Sequence, residues 1–153
     1  MGLLSNTESA SASTQSTTQP SKGFQLYFAG SQNKLAEIYL RQHGANRLAS
    51  QLIDRNVIAG WIESRTRGEG KGYLFIDSGA YSAHTRNAEL DVDAYITYLN
   101  EHEGLFECIA QIDKIPGTYK QPKTQQELNE APILSWENYN YMRERLIDKD
   151  RLL

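Results

Sequence analysis

The sequence predicts an α/β fold built on parallel strands. Short apolar runs, typical of strands that are buried on both faces, alternate with stretches whose apolar residues recur at helical spacing. This alternation indicates a parallel sheet whose strands are joined by right-handed crossovers. At 153 residues, 39% of them hydrophobic, the chain has the length of one domain with a substantial core.

The amino-acid composition argues against several classes of protein. The net charge of −3 means that no overall basic field indicates a nucleic-acid partner, although a local basic patch can suffice. The single cysteine, Cys108, excludes an internal disulfide and a cysteine-only zinc site, and its apolar neighbours predict a buried thiol. No apolar run approaches the roughly 18 residues of a membrane span. No secretory signal is recognisable either, so we expect a cytoplasmic protein without a membrane partner.

The amino-terminal part divides into a tail and the start of a domain. Residues 1–22 are predicted to be a disordered low-complexity tail, because their small polar side chains bury too little apolar area to offset the entropy of ordering. The domain covers residues 23–153 and begins with a strand at Phe24–Ala29. Helical spacing then predicts one helix that ends at Gly44 and a second that begins near Asn46.

The central strand, Tyr73–Ile76, ends at an acidic residue, Asp77, and Ser78, Gly79 and Tyr81 follow shortly after. A carboxylate at the end of a buried strand is costly to desolvate unless it is hydrogen-bonded or functional. In parallel α/β folds, ligands bind at the carboxyl ends of the strands. The acid, the small residues and the aromatic ring therefore predict a site for a flat, hydrogen-bonding ligand such as a nucleobase. The alternative is that the aspartate only caps the turn that follows.

A second strand is predicted to end in the same way. After a helix that begins at Asp91, the apolar stretch Leu105–Ile112 predicts a strand, and Asp113 follows it. Because parallel strands finish at the same edge of a sheet, we expect the carboxylates of Asp77 and Asp113 to converge. A last helix is predicted to begin at Ser135, and no final strand is apparent beyond it.

The loop after Asp113 contains three lysines, Lys114, Lys120 and Lys123. At this edge of the sheet they are candidates for contacts with a phosphate backbone. Exposed lysines are common on protein surfaces, so a solvated loop is the alternative.

The segment Asp77-Ser78-Gly79-Ala80-Tyr81 resembles the Asp-Ser-Gly-Gly-Tyr/Phe signature of the tRNA-guanine transglycosylases. The wider pattern over residues 24–153 is most similar to the bacteriophage and bacterial relatives that insert 7-deazaguanine bases into DNA. The resemblance implies part of a (β/α)8 barrel and a base-exchange reaction on DNA, or alternatively on tRNA. We expect no cofactor and no metal in this chain.

The resemblance also implies roles for individual residues. Asp77 would contact the base and act in proton transfer, and Ser78 and Gly79 would lie at the base edge. Tyr81 would stack on the base, and Asp113 would accept hydrogen bonds from the Watson–Crick-like edge of guanine. The target nucleotide would have to leave its stack, and an aspartate nucleophile would form a covalent glycosyl-enzyme intermediate.

This chain departs from that family in three ways. Ala80 replaces the second glycine of the signature, the family's cysteine and histidine zinc site is missing, and no residue matches the nucleophile. A full barrel takes roughly 200 residues or more. We therefore expect the amino-terminal half of a barrel, inactive alone, which needs a complementary carboxyl-terminal half or self-association.

Three alternatives remain open. A non-catalytic module would bind a nucleobase through Asp77, Tyr81 and Asp113 without exchanging it. A phage-type structural or interaction protein would bind no base. A metal-dependent hydrolase would hold a divalent cation through the two aspartates, with His84 and His102 as additional ligands.

Overall fold

A computed structural model describes residues 24–30 and 33–153, so the predicted tail lies outside the described residues. Four strands and five α-helices alternate along this part of the chain. They are β1 Tyr27–Phe28, α1 Lys34–Gln42, β2 Asn46–Ser50, α2 Arg55–Thr66, β3 Leu74–Asp77, α3 Ala80–Thr85, α4 Val92–Glu101, β4 Cys108–Ile109 and α5 Gln125–Arg145, followed by a 3-10 helix at Lys149–Arg151.

The strands form one parallel sheet in the order β1-β2-β3-β4, which is also their order along the chain. The predicted α/β class and parallel sheet are therefore confirmed. Because parallel crossovers are right-handed and each new strand is added on the same side, the connecting helices are expected on one face of the sheet.

The packing agrees with this topology. Apolar residues of β2 and β3 that point to one face, such as Ala49 and Ile76, form a single buried cluster with residues of three helices. The helical members of the cluster are Ile58 and Trp61 of α2, Tyr95, Ile96 and Leu99 of α4, and Met142 of α5; Leu146, the residue that caps the end of α5, also belongs to it.

Helix α1 is attached to the same face by a buried ion pair. The Glu37 carboxylate accepts hydrogen bonds from Arg47 Nε at 3.0 Å and from Trp61 Nε1 at 3.1 Å. Arg47 is 0% exposed and Glu37 4% exposed. These contacts join α1, β2 and α2, and burial of this kind is tolerated because both charges are paired and hydrogen-bonded.

The opposite face of the sheet is only partly covered. Tyr27, Leu48, Phe75 and Cys108 share this face and are half-buried. Tyr27 packs edge-to-face on Phe75 with ring centroids 5.6 Å apart, and its hydroxyl lies 3.7 Å from the Cys108 sulfur. The prediction of a buried thiol was wrong, because no described helix covers this face. Parallel sheets are normally covered on both faces.

The segment that begins at Asn46 is a strand, so the predicted second helix was wrong in its amino-terminal part. Arg47 N–H donates to the Tyr73 carbonyl at 2.8 Å, and β2 pairs with strands on both sides. The helix begins only at Arg55. Pairing with two neighbouring strands outweighs the weak helical periodicity of this segment.

The last helix begins earlier than predicted. Thr124 is its N-cap and forms a capping box with Glu127, whereas Ser135 lies inside α5 and its Oγ accepts from the Lys114 N–H at 2.9 Å. The helix therefore begins at this capping box and continues through Pro132.

The edge of the sheet beyond β4 continues into the last residues of the chain. Leu152 pairs with Ile109 in a parallel bridge, and Leu153 N–H donates to the Ile109 carbonyl at 2.8 Å. No strand follows the last helix among the described residues, as expected, but this isolated bridge attaches the end of the chain to β4. No helix of the described residues has the length and apolar character needed to cross a membrane.

Candidate functional site

An open cleft of about 380 Å³ lies at the carboxyl edge of the sheet. Asp77, Ser78, Tyr81 and Asp113 all line it, so the structure brings together four of the five residues that the sequence predicted around a base. The remaining lining residues are Ala80, Ala110, Gln111, Ile115 and Leu153.

Asp77 is the last residue of β3, and its backbone carbonyl accepts from Gln51 N–H at 2.8 Å. By its register it lies on the partly covered face, like Phe75. Its Oδ2 accepts from the Gly79 N–H at 3.0 Å. Asp77 therefore does cap the following turn, as the alternative interpretation expected, and it also contributes its half-buried carboxyl group to the cleft.

The backbone conformation and packing at position 79 explain why this residue is a glycine. Its φ of +82° is a conformation that residues with a Cβ rarely adopt, and a Cβ placed there would lie 2.5 Å from Leu52 Cβ and 2.8 Å from Ser50 Oγ. Gly79 therefore allows a close approach of the backbone to the end of the neighbouring strand. Gly79 is absent from the residues that line the cleft.

Ser78 is 2% exposed, so little of it is open to a ligand even though it lines the cleft. The hydroxyl of Ser50, which pairs in register with Asp77, is buried and has no hydrogen-bond partner among the described residues. The carboxyl edge of the sheet therefore contains one buried polar atom, Ser50 Oγ, without a hydrogen-bond partner in the described part of the protein.

Asp113 is exposed and lies beyond the end of β4, which stops at Ile109, rather than directly at the strand end as predicted. Its Oδ1 accepts from Gln111 Nε2 at 2.9 Å. Gln111 Oε1 is buried without a hydrogen-bond partner among the described residues. Gln111 was not among the residues predicted from the sequence, although its position two residues before Asp113 in an extended segment places both on one face.

Tyr81 is 65% exposed, which leaves much of its ring accessible. Its ring centroid lies 6.5 Å from that of Tyr119, with the two rings nearly perpendicular at 89°. The ring of His84 is also nearly perpendicular to that of Tyr119, with centroids 6.0 Å apart and an angle of 87°. Sequence reasoning missed the contribution of Tyr119, because only the folded loop brings it to α3.

The three candidate lysines have different surroundings. Lys114 lines a second cleft, of about 340 Å³, that shares Asp113 with the first. Lys120 is exposed, and its ammonium lies 5.3 Å from the centroid of the Tyr119 ring. Lys123 donates to the Thr118 carbonyl, so it holds the loop together. The lysines therefore do not form one uniform basic surface.

Tyr95 of α4 lies close enough to Asp77 to be affected by its charge. Burial raises the pKa of the Tyr95 hydroxyl above its ordinary value, and the negative charge of Asp77 raises this pKa further. The hydroxyl therefore stays protonated and donates to the carbonyl of Ala110, at 3.2 Å. It supports the wall of the cleft and carries no charge.

The two histidines that a metal site would need lie in different places. His84, in α3, lines the second cleft, whereas His102 caps the end of α4 with its Nδ1 2.8 Å from the Tyr98 carbonyl. Within residues 24–30 and 33–153, no three His, Cys, Asp or Glu side chains are grouped in a way that could hold a metal ion.

The described arrangement is an open cleft with two carboxylates, an amide and an accessible aromatic ring. It can accept hydrogen bonds from a flat ligand and stack on it. No family model, no curated protein and no solved structure matches this chain.

Proposed function

We propose that this chain is the amino-terminal part of a (β/α)8 barrel whose function is to exchange guanine for a 7-deazaguanine base in nucleic acid, with DNA favoured over tRNA. The observation that supports this most directly is the placement of Asp77, Asp113 and Tyr81 around one cleft at the carboxyl edge of a parallel sheet. In barrel enzymes this edge is where the chemistry takes place.

The chemistry of the ligand fits the groups in the cleft. Guanine presents N–H donors along its Watson–Crick edge, and a carboxylate such as that of Asp113 accepts them. Gln111 lies beside it, and its amide nitrogen donates to Asp113 Oδ1 and so orients that carboxylate. Tyr81 supplies an aromatic face for stacking.

The reaction follows two displacements. A carboxylate attacks C1′ of the extruded nucleotide, the C1′–N9 bond breaks, and guanine leaves with the bonding electron pair and takes up a proton. The incoming base loses its N9 proton, attacks C1′ and releases the carboxylate. We assign the proton transfers to Asp77 and the nucleophile to a complementary chain, because no residue here matches it.

The sheet topology supports the need for complementary strands. All the crossover helices that pack on the sheet lie on one face. On the other face, the apolar side chains of Leu48 and Phe75 are only half-buried. A barrel closed by a second set of parallel strands would cover this face and pair both edges of the sheet.

Binding of free guanine and of a 7-deazaguanine by the purified chain, measured by calorimetry, tests the proposal. We expect binding that weakens by about 10-fold or more in Asp77→Asn and in Asp113→Asn, since each loses a charge-assisted hydrogen bond. Glu101→Gln is the matched control, because this exposed residue ends α4 at the opposite edge of the sheet.

No binding by the wild-type chain, or equal binding by the aspartate variants, would contradict the proposal and favour a structural or interaction protein. Binding without any exchange of labelled guanine, even after a complementary chain is supplied, would identify a nucleobase-binding module instead.

A further inference from the structure

We propose that the structure contains a second stacking site, for a nucleotide next to the one that enters the cleft. We call it the aromatic corner and define it as Tyr81, His84, Tyr119 and Lys120. Its ligand is single-stranded nucleic acid, which it holds through one unpaired base and a neighbouring phosphate. This inference rests on the proposed function, because it places the corner beside the base-exchange cleft.

The geometry of the rings provides the base-stacking part of the site. Tyr119 lies against both Tyr81 and His84, at centroid distances of 6.5 Å and 6.0 Å, and it is nearly perpendicular to each. Perpendicular rings form a corner in which a flat base can stack on one ring while its edge contacts another. Tyr81 belongs to both the corner and the cleft, so a base in the corner would lie next to a base in the cleft.

The charge of the corner suits a phosphate. The Lys120 ammonium lies 5.3 Å from the Tyr119 ring centroid and is exposed. If the base of a nucleotide stacks on Tyr119, the phosphate of that nucleotide would therefore come within reach of the Lys120 ammonium. Glu89 lines the neighbouring cleft together with His84 and opposes a phosphate there, which favours the Lys120 side for the backbone.

The loop that presents these groups holds an unusual backbone conformation. Lys120 has a φ of +60°, one of two non-glycine residues with positive φ among the described residues. Such a conformation costs free energy and persists only where the surroundings impose it, often at ligand sites. Lys123, which donates to the Thr118 carbonyl, helps to hold the loop in place.

Single-stranded nucleic acid fits these features better than a duplex. Stacking on an aromatic ring needs an exposed base face, which a duplex hides, and aromatic rings combined with cations are typical of proteins that bind single strands. A nucleotide extruded for base exchange leaves its neighbours partly unstacked, so the proposed reaction itself exposes a base that could stack in the aromatic corner.

The test uses a fluorescently labelled oligothymidylate of about 12 nucleotides, which contains no guanine, and measures fluorescence anisotropy at low salt. We expect Tyr119→Leu to weaken binding at least about fivefold, because loss of one stacked base has effects of this size. Tyr119→Phe, which keeps the ring, should bind like the wild type, and Lys120→Gln should reduce the salt dependence.

The matched control is Tyr39→Leu on α1. Tyr39 is 61% exposed and packs against His43 with ring centroids 4.0 Å apart, so the two form another exposed tyrosine–histidine pair. The proposal is overturned if the wild type does not bind the oligothymidylate, if Tyr119→Leu binds equally well, or if Tyr39→Leu loses as much affinity.

The guanine titration separates this proposal from the proposed function. Asp77→Asn should lose guanine binding and keep oligothymidylate binding. Tyr119→Leu should keep guanine binding and lose oligothymidylate binding. Oligothymidylate binding that depends on Tyr119 in a chain that binds no guanine would contradict the base-exchange function and leave the aromatic corner standing.

Discussion

Replacement of Gly79 by alanine is expected to destabilise the protein by about 2–5 kcal/mol. The backbone contributes one part, because an L residue at a φ of +82° costs about 1–2 kcal/mol. The new methyl group contributes the rest. It would lie 2.5 Å from Leu52 Cβ and 2.8 Å from Ser50 Oγ, and overpacking of this kind typically costs about 1–3 kcal/mol.

Urea unfolding followed by circular dichroism measures the effect, and Gly104→Ala is the matched control. Gly104 has a φ of +78°, but nothing lies within 4 Å of a Cβ placed there. We therefore expect the control to lose only the backbone part, about 1–2 kcal/mol. Equal losses in the two variants would refute the close approach of Gly79 to β2. A loss below about 0.5 kcal/mol in Gly79→Ala would refute the whole argument.

The same substitution bears on the site. The Gly79 N–H donates to the Asp77 carboxylate, so a displaced residue 79 would also displace that carboxylate. Gly79→Ala should therefore weaken guanine binding even under conditions in which the variant is folded. If the folded variant binds guanine as tightly as the wild type, the turn does not position Asp77.

Two further predictions concern the scaffold. Glu37→Gln should destabilise the fold by about 3–5 kcal/mol, because the fully buried Arg47 loses the carboxylate 3.0 Å from its Nε. The double variant Glu37→Leu with Arg47→Met should lose much less, and equal losses in denaturant unfolding would contradict this reasoning. Thr124→Ala should cost about 1 kcal/mol at neutral pH through loss of the helix cap. Hydrogen bonds from the Thr124 N–H and hydroxyl lower the pKa of Glu127 below its ordinary 4.5, so this stabilisation is present above pH 4.5 and is lost as the pH falls through the lowered value. The cost of Thr124→Ala should therefore shrink in acid, and a cost that does not change with pH in thermal unfolding would argue against the capping box.

Local signals in the sequence predicted several elements well. The apolar run that ends at Asp77 is the strand β3, and the capping aspartate Asp91 precedes α4, where its Oδ1 accepts from the Ala94 N–H at 3.0 Å. Both depend on residues close together in the chain: an uninterrupted apolar segment in one case, a cap in the other. Gly44 likewise follows the end of α1, with a φ of +67°.

Elements that depend on distant partners were predicted poorly. The segment from Asn46 has no strong strand signal and is a strand because β1 and β3 flank it. Leu152 joins the sheet through a bridge to Ile109 that local pattern could not indicate. The thiol of Cys108 is only half-buried, because helices cover one face of the sheet and Cys108 points to the other.

By itself, the sequence determined the α/β class and the presence of acidic residues near the ends of two parallel strands, although it did not reveal the strand β2. Parallel strands finish at one edge, so the meeting of Asp77 and Asp113 in one cleft could be anticipated. Only the tertiary structure decided which other groups join them. Gln111 lines the cleft from an extended segment, and the loop of Tyr119 packs against Tyr81 beside the cleft. The paths of both segments depend on long-range packing, so residues far apart in sequence meet at this edge of the sheet.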